Sequence, residues 1–351
     1  MDSALLIPVL AVIIAAMVFD YTNGFHDAAN AIATSVSTRA LTPRIALGIA
    51  ALGNFVGAHF GAQVAKTVGS GIITPPEGEV GLGIVFAGVV GAIAWNLLTW
   101  YFGIPSSSSH ALIGGLVGAM LAAIAFGVQG EVLWGGIVDK VVIPMIASPA
   151  TGFILGAVHM LALLWAVYLL AKATAEKKSA RLFHPTPLNR FFRIMQSLSA
   201  VAMSVGHGMQ DAAKTMGIIV LALYTGGFQS SNEHIPEWVF WTSATVLALG
   251  TYAGGWRIIR TLGRRVIHLD PMAGFAAETV ASGVLFTAAS YGLPISTTHT
   301  ITSAIMGVGA TKKFSAVRWG VAGNIVMAWI LTFPGAALAA IIAYVLVRPI
   351  F

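Results

Sequence analysis

The sequence predicts an all-α integral membrane protein of about ten spans plus re-entrant or broken segments, arranged as two repeats of inverted topology. Three observations predict it. Of 351 residues, 57% are hydrophobic and only 9% charged, against roughly 25% charged in an average soluble domain. Apolar runs recur from Leu5 to Val347, many of them near the ~20 residues that a bilayer-spanning helix needs. Polar motifs embedded in those runs return in the second half, in the same order and at nearly constant spacing. No cysteine is present, so a disulfide framework or thiolate metal site is excluded. The first apolar stretch has no basic leader and runs straight into a polar motif, unlike a cleavable signal peptide.

The net charge of +6 reflects topology rather than a nucleic-acid footprint. Most of the 19 Lys and Arg fall in four clusters: Arg39 and Arg44, Lys172 to Arg193, Arg257 to Arg265, and Lys312 to Arg318. Glu77, Glu79, Glu131, Glu233 and Glu237 collect in other loops. Under the positive-inside rule the basic clusters are cytoplasmic. With those anchors, spans are expected near residues 5–35, 45–66, 83–101, 104–127 and 132–171, then near 196–225, 238–256, 273–290, 292–310 and 317–347. Both termini then lie outside a cytoplasmic (inner) membrane, and the basic loop 172–195 lies inside. That loop is too short for a soluble core. The stretches 132–171 and 317–347 exceed one crossing, so a partly inserted turn is expected around Pro149 and Pro334.

The halves, 1–171 and 196–351, match motif by motif. Gly24-Phe25-His26-Asp27-Ala28-Ala29-Asn30 is echoed by Gly208-Met209-Gln210-Asp211-Ala212-Ala213-Lys214 at an offset of 184. Gly103-Ile104-Pro105-Ser106-Ser107-Ser108-Ser109-His110 is echoed by Gly292-Leu293-Pro294-Ile295-Ser296-Thr297-Thr298-His299 at 189. Trp134-Gly135 returns as Trp319-Gly320, and Pro149 as Pro334, both at 185. Five spans per half would turn the second repeat upside down. Inverted repeats are common in secondary transporters, with ligands bound near the midplane where the repeats meet.

Asp27 and Asp211 stand among alanines and glycines at membrane depth, where an ionised carboxylate is costly and defaults to function. Asn23, Gly24 and Asn30 suggest a helix that breaks there, freeing carbonyls for a hard cation or a proton. A structural carboxylate capping a helix fragment is the plainer alternative. Lys214 lies one turn after Asp211 and can pair with it; it replaces Asn30 of the first half, and either neutralises Asp211 or holds an anion. The two Pro-x-Ser-[Ser/Thr]-[Ser/Thr]-His segments read as helix starts. Helix N-termini hold phosphate or sulfate through free amides and partial positive charge, and Ser107, Ser108, Ser109, Ser296, Thr297 and Thr298 add hydroxyls. His110 and His299 are expected to hydrogen-bond a neighbouring helix or to respond to a coupling proton. A paired-His metal site lacks further ligands at suitable spacing. His26, beside Asp27, is the better proton handler. Glu278 reads as the remaining acid within a span and as a coupling or gating residue. Glycines from Gly53 to Gly61 and Gly114 to Gly118 suit close helix packing.

These motifs resemble the inorganic phosphate transporter (PiT) family, of the bacterial low-affinity permease type, over nearly the whole chain. The resemblance implies cation-coupled symport of inorganic phosphate, with no enzymatic activity, cofactor or resident metal. It implies that Asp27, Asn30, Asp211 and the Ser/Thr-His segments build the substrate and cation sites, with Gln210 and Lys214 beside them, and that Glu278 is functional. Sodium-coupled members usually read Asn-Asp where this chain has His26-Asp27 and Gln210-Asp211, which favours H+ over Na+. Sulfate is the alternative anion, and metal-complexed phosphate an alternative form. Membrane lipid is the expected surrounding, and a homodimer is compatible with the sequence. An anion channel would share the helix-terminus site but leaves the duplicated carboxylates unexplained. A hydrolase would need a nucleophile with its base or a metal cluster. A purely structural membrane protein would not need buried Asp, Lys and Glu together.

Overall fold

A computed structural model describes residues 3–175 and 183–351. Helices dominate it, and each expected span contains one. They are α1 (Leu6–Ser37), α2 (Pro43–Ala58), α3 (Ala62–Ser70), α4 (Glu79–Phe102), α5 (Ser108–Ala125), α6 (Trp134–Ile137), α7 (Ile143–Ala173), α8 (Pro185–Thr225), α9 (Glu237–Ala253), α10 (Trp256–Arg260), α11 (Pro271–Ser290), α12 (Thr297–Lys312) and α13 (Trp319–Val347). Two short strands, Ile73–Thr74 and Glu131–Val132, pair antiparallel and tie the α3–α4 loop to the α5–α6 loop.

The count of about ten spans is not met. Six helical stretches among the described residues are long and apolar enough to cross a membrane, or seven if α2 and α3, bent by 70°, form one broken span. The physical reason is that an apolar run is not always a full crossing. Helices α9 and α12 have 17 and 16 residues. At ~1.5 Å per residue they fall short of the ~30 Å hydrocarbon core. Helix α8 is long enough, but its deep stretch carries Ser204, His207, Gln210, Asp211 and Lys214.

Three local expectations also need correction. Helices α1 and α8 run unbroken through Asp27 and Asp211. Their glycines serve close approach instead of a break: a Cβ on Gly24 would meet the Leu247 carbonyl and Thr251 amide, and one on Gly208 would meet the backbone of Asn54. Pro149 and Pro334 lie inside α7 and α13, as the surrounding helices of a membrane bundle permit. The irregularity of the first region is a π turn, Val138–Val142, joining α6 to α7. The central loop is also shorter than 172–195, because α7 runs to Ala173 and α8 begins at Pro185; the rest of its basic cluster, from 176 to 182, lies outside the described residues.

Packing follows a reciprocal pattern. Helix α2 packs on α8 as α9 packs on α1, and α13 packs on α5 as α7 packs on α12. The small residues make this possible, since Gly53, Gly57 and Gly61 lie against α8, and Gly114 and Gly118 against α13. Helices α1 and α8, which carry the equivalent Asp27 and Asp211, run antiparallel. Asp20 faces Thr215, Asp27 lies beside His207 and Asp211, and Thr34 and Ser199 meet on Glu278. Ile146, Ile154, Val158, Leu161, Trp165 and Leu169 of α7 are exposed, an apolar face suited to lipid.

Candidate functional site

The two Ser/Thr segments fold into the same turn twice. Gly103 and Gly292 each sit at φ 66°, a left-handed conformation that glycine adopts without a Cβ penalty. The backbone bonds then repeat residue for residue. The Ile104 amide donates to the Thr99 carbonyl and the Leu293 amide to Ala288; the Ser106 amide donates to Ile104 and the Ile295 amide to Leu293. Ser107 caps α5 by accepting from the His110 amide at 3.2 Å, and Ser296 caps α12 by accepting from the His299 amide at 3.2 Å. The predicted helix starts are therefore in place. The amides of Ser108, Ser109, Thr297 and Thr298 fall in first turns, where no helical carbonyl can reach them.

The two starts face each other at the centre of the molecule. Ser109 Oγ donates to the Ile295 carbonyl at 3.2 Å, and the rings of His110 and His299 lie 4.7 Å apart between centroids. The expected hydrogen bonds from these histidines to a neighbouring helix are not formed: neither ring nitrogen of His110 has a partner, nor does His299 Nε2. Both rings are buried against each other, and His299 stacks on Trp329 at 4.0 Å.

Helices α1 and α8 bring the charged residues to this junction. Asp27 accepts from Ser108 Oγ at 3.0 Å and lies 2.6 Å from His26 Nδ1. His26 Nε2 in turn meets Thr99 Oγ1 at 3.1 Å and Ser106 Oγ at 3.3 Å. Asn30 donates to Thr297 Oγ1 at 3.1 Å and Thr298 Oγ1 at 2.9 Å, so α1 touches both helix starts. On α8, Lys214 Nζ donates to Asp211 Oδ1 at 2.5 Å, the pairing expected one turn apart. Gln210 occupies the place of His26 and donates to the Leu285 and Leu293 carbonyls at 3.4 and 3.2 Å; its Oε1 has no partner. Asn23 is fully buried, with neither amide atom partnered. All of these side chains are at most 4% exposed, so the site is closed in this conformation. Glu278 accepts from Thr34 Oγ1 and, at 2.5 Å, from Ser199 Oγ; it thereby joins α11 to α1 and α8.

Sequence reasoning missed three participants. His207 Nε2 lies 3.0 Å from Asp211 Oδ2, and one atom each of Asp27, His207 and Asp211 falls within 4.8 Å of the others, close enough for one small cation to touch all three. Asn54 accepts from His207 Nδ1 at 2.9 Å and donates to Thr251 Oγ1 at 2.8 Å; Thr251 donates onward to the Leu247 carbonyl at 2.8 Å. Asp20 is the third, and it corrects the reading of Glu278 as the remaining acid within a span. It lies seven residues before Asp27, and His207 four before Asp211, so spacing along a helical face was the available signal. On α1 that face carries Asp20, Asn23, Asp27, Asn30 and Thr34, all buried. At ~1.5 Å per residue the stripe is about 21 Å long, most of the ~30 Å apolar core.

A buried polar stripe of this kind, closed by two opposed helix N-termini, belongs to a protein that handles small ions. Comparison with known proteins agrees. The model of the phosphate transporter family matches residues 23–340. The chain is 48% identical over 346 residues to a Rhizobium meliloti protein named "Probable low-affinity inorganic phosphate transporter", covering 98% of each. It is 42% identical over 351 residues to a Bacillus subtilis protein of the same name, covering 100% of each. A solved structure titled "The sodium-dependent phosphate transporter" shares the fold, with a TM-score of 0.83 at 23% identity over 99% of this chain and 100% of that one. The chain therefore belongs to the phosphate transporter family.

Proposed function

We propose that this protein is a secondary active transporter that carries inorganic phosphate across the cytoplasmic membrane in symport with a cation, and that the cation is H+. The observation that carries the transport reading is the meeting of the α5 and α12 N-termini over Asp27, Asp211 and Lys214. Free amides, Ser/Thr hydroxyls and one ammonium group supply donors for a tetrahedral oxyanion. The carboxylates accept the O–H of protonated phosphate, which sulfate at neutral pH lacks; a site with such unpaired acceptors discriminates strongly. The relatives carry the name of probable inorganic phosphate transporters, and none of those names supports sulfate.

Coupling follows from charge. Moving a divalent anion inward against roughly 150 mV costs about 7 kcal/mol, from ~2.3 kcal/mol per charge per 100 mV. With both histidines neutral, Asp27, Asp211 and Lys214 already leave one net negative charge, and a dianion deepens it. Added positive charge must accompany the substrate.

Protons are favoured by the hydrogen bonds around His207. Thr251 donates to a carbonyl, so its oxygen accepts from the Asn54 amide nitrogen, and Asn54 Oδ1 accepts from His207 Nδ1. The neutral tautomer this fixes leaves Nε2 as an acceptor, 3.0 Å from the Asp211 carboxylate. Two acceptors facing each other repel, and a proton between them makes the contact favourable. His26 stands beside Asp27 in the same relation, 2.6 Å away. The solved sodium-dependent relative keeps Na+ as the competing ion, with the cluster of Asp27, His207 and Asp211 as its seat.

The reciprocal packing, the twice-formed turn and the antiparallel run of α1 and α8 support two inverted repeats, 1–171 and 196–351. Rocking one repeat against the other would open the centre to each side in turn. Glu278, tied to both α1 and α8, is placed to sense that motion. The orientation proposed keeps the basic loops cytoplasmic and both termini outside.

The test is phosphate uptake into proteoliposomes under imposed H+ or Na+ gradients, with phosphate supplied free or with Mg2+ and sulfate as competitor. Uptake is expected to follow the H+ gradient and to resist sulfate. Asp211→Asn is expected to abolish it in folded protein, whereas uptake that needs Na+ and ignores pH would overturn the proton assignment.

A further inference from the structure

Four acids lie deep in the helical bundle, and three of them are partnered. Asp27 has His26 and Ser108, Asp211 has Lys214 and His207, and Glu278 has Thr34 and Ser199. Asp20 is fully buried, and neither carboxylate oxygen has a hydrogen-bond partner. The Thr215 hydroxyl of α8 is the one side-chain donor that approaches it, in a contact too loose to be a full hydrogen bond, and the charged groups within its reach are Asp211 and Lys214. Lys214 is already spent on Asp211.

Other buried polar groups without partners lie on the same face of α1 and on α4. Asn23 stands one turn further along the same face of α1, with both amide atoms free. Helix α4 runs alongside α1 in the same direction: Gly78, just before its start, donates to Thr225 beside the Val9 end, and Thr99 near its finish meets His26. Asn96, one turn before Thr99, therefore lies level with Asn23, one turn before His26. Both atoms of the Asn96 amide are buried and unpartnered. Helices α1, α4 and α8 thus carry unpartnered polar groups on the α1 N-terminal side of the central junction, with the Asp20 carboxylate among them.

We propose that Asp20 is a second cation seat, separate from the Asp27–His207–Asp211 cluster, and that the charge it takes up couples phosphate movement to the ion gradient. The inference rests on the phosphate symport reading and deepens it. An unpaired carboxylate in an apolar interior is unfavourable unless neutralised, so the cycle can close through the interior only when Asp20 carries its cation. The shared chemistry is one positive charge on a carboxylate lined by amide and hydroxyl oxygens. A proton needs one of those oxygens; sodium, a hard cation, would gather several. The plain alternative is a permanently neutral packing residue.

Asparagine mimics the neutral form and separates these readings. Asp20→Asn protein in proteoliposomes is measured in two modes: exchange of labelled for unlabelled phosphate without a gradient, and net accumulation under a H+ or a Na+ gradient. Exchange returns the carrier loaded and needs no net cation step, so it is expected to survive. Accumulation is expected to fall by roughly 5–150-fold, the usual range of coupling between two sites, and Asp20→Glu to recover it. The gradient whose effect disappears identifies the cation. Accumulation by Asp20→Asn equal to wild type overturns the proposal. Wild-type protein that neither exchanges nor accumulates phosphate refutes the underlying reading, and this one with it. Should Asp20→Asn not reach the membrane, Thr215→Val is read instead: it keeps the acid and is expected to raise the driving-cation concentration needed for half-maximal uptake. An unchanged requirement there counts against the seat.

Discussion

Replacing Lys214 by methionine tests whether the central charges support one another. The ammonium is 1% exposed and Asp211 0%, with 2.5 Å between Nζ and Oδ1. Removing one partner of such a buried pair typically costs about 3–5 kcal/mol, because the other charge is left uncompensated. His207, 3.0 Å away on the far carboxylate oxygen, can share a proton with Asp211, which points to the lower end, about 3 kcal/mol. Removing both charges relieves the penalty, so Asp211→Asn with Lys214→Met is expected to lie within about 1–2 kcal/mol of wild type; with about 3 kcal/mol for each single variant, that is a coupling of about 4–5 kcal/mol, above the ~0.5–3 kcal/mol usual for residues in contact. The assay is equilibrium unfolding of purified wild type, the two single variants and the double variant in mixed detergent micelles. Phosphate uptake is followed in parallel; the double variant should regain stability and remain inactive, since both side chains meant for ligands are gone. Singles whose costs simply add, with coupling below about 0.5 kcal/mol, would refute the mutual compensation. A double variant that transports would refute the assignment of both residues to the site.

Three further outcomes follow from the geometry. Asn30→Ala removes two hydrogen bonds to the start of α12, each worth ~0.5–1.5 kcal/mol, so KM for phosphate in uptake assays should rise by about tenfold; an unchanged KM would remove Asn30 from the binding site. Gly57→Leu places a side chain against the Val205 carbonyl and should lower stability by at least ~1–3 kcal/mol, visible as a fall in thermal midpoint. Gly48→Ala, with open space at its Cβ, should be neutral. Thr34→Val combined with Ser199→Ala strips two hydroxyl donors from the Glu278 carboxyl group and should destabilise more than Glu278→Gln, because it leaves buried acceptor oxygens short of partners. The reverse order, measured by the same unfolding assay, would mean Glu278 is not held there as a carboxylate.

The sequence by itself determined the solvent of this protein, its helical class, the two matched halves and many of the side chains that meet at the central junction. Composition shows the membrane because a chain with so few charges has no other way to satisfy its surface. The helix starts at Ser107 and Ser296 and the Asp211–Lys214 pair were legible because capping and one-turn pairing depend on neighbours in sequence. The tertiary structure decided whatever depends on a second helix. A glycine that reads as a break is instead a contact point when α9 lies against Gly24 or α2 against Gly208. Spans counted from hydropathy shorten or bend where helices begin at the central junction and present their N-termini there. His110 and His299, expected to bond outwards, are turned on each other by the meeting of α5 and α12. The roles of His207 and Asp20 emerge only from what faces them, Asn54 and Asp211 for one and an unpartnered Thr215 for the other. Local sequence sets where a polar group sits on its helix, but whether it is paired, shared or left open for an ion is fixed by the helix packed opposite.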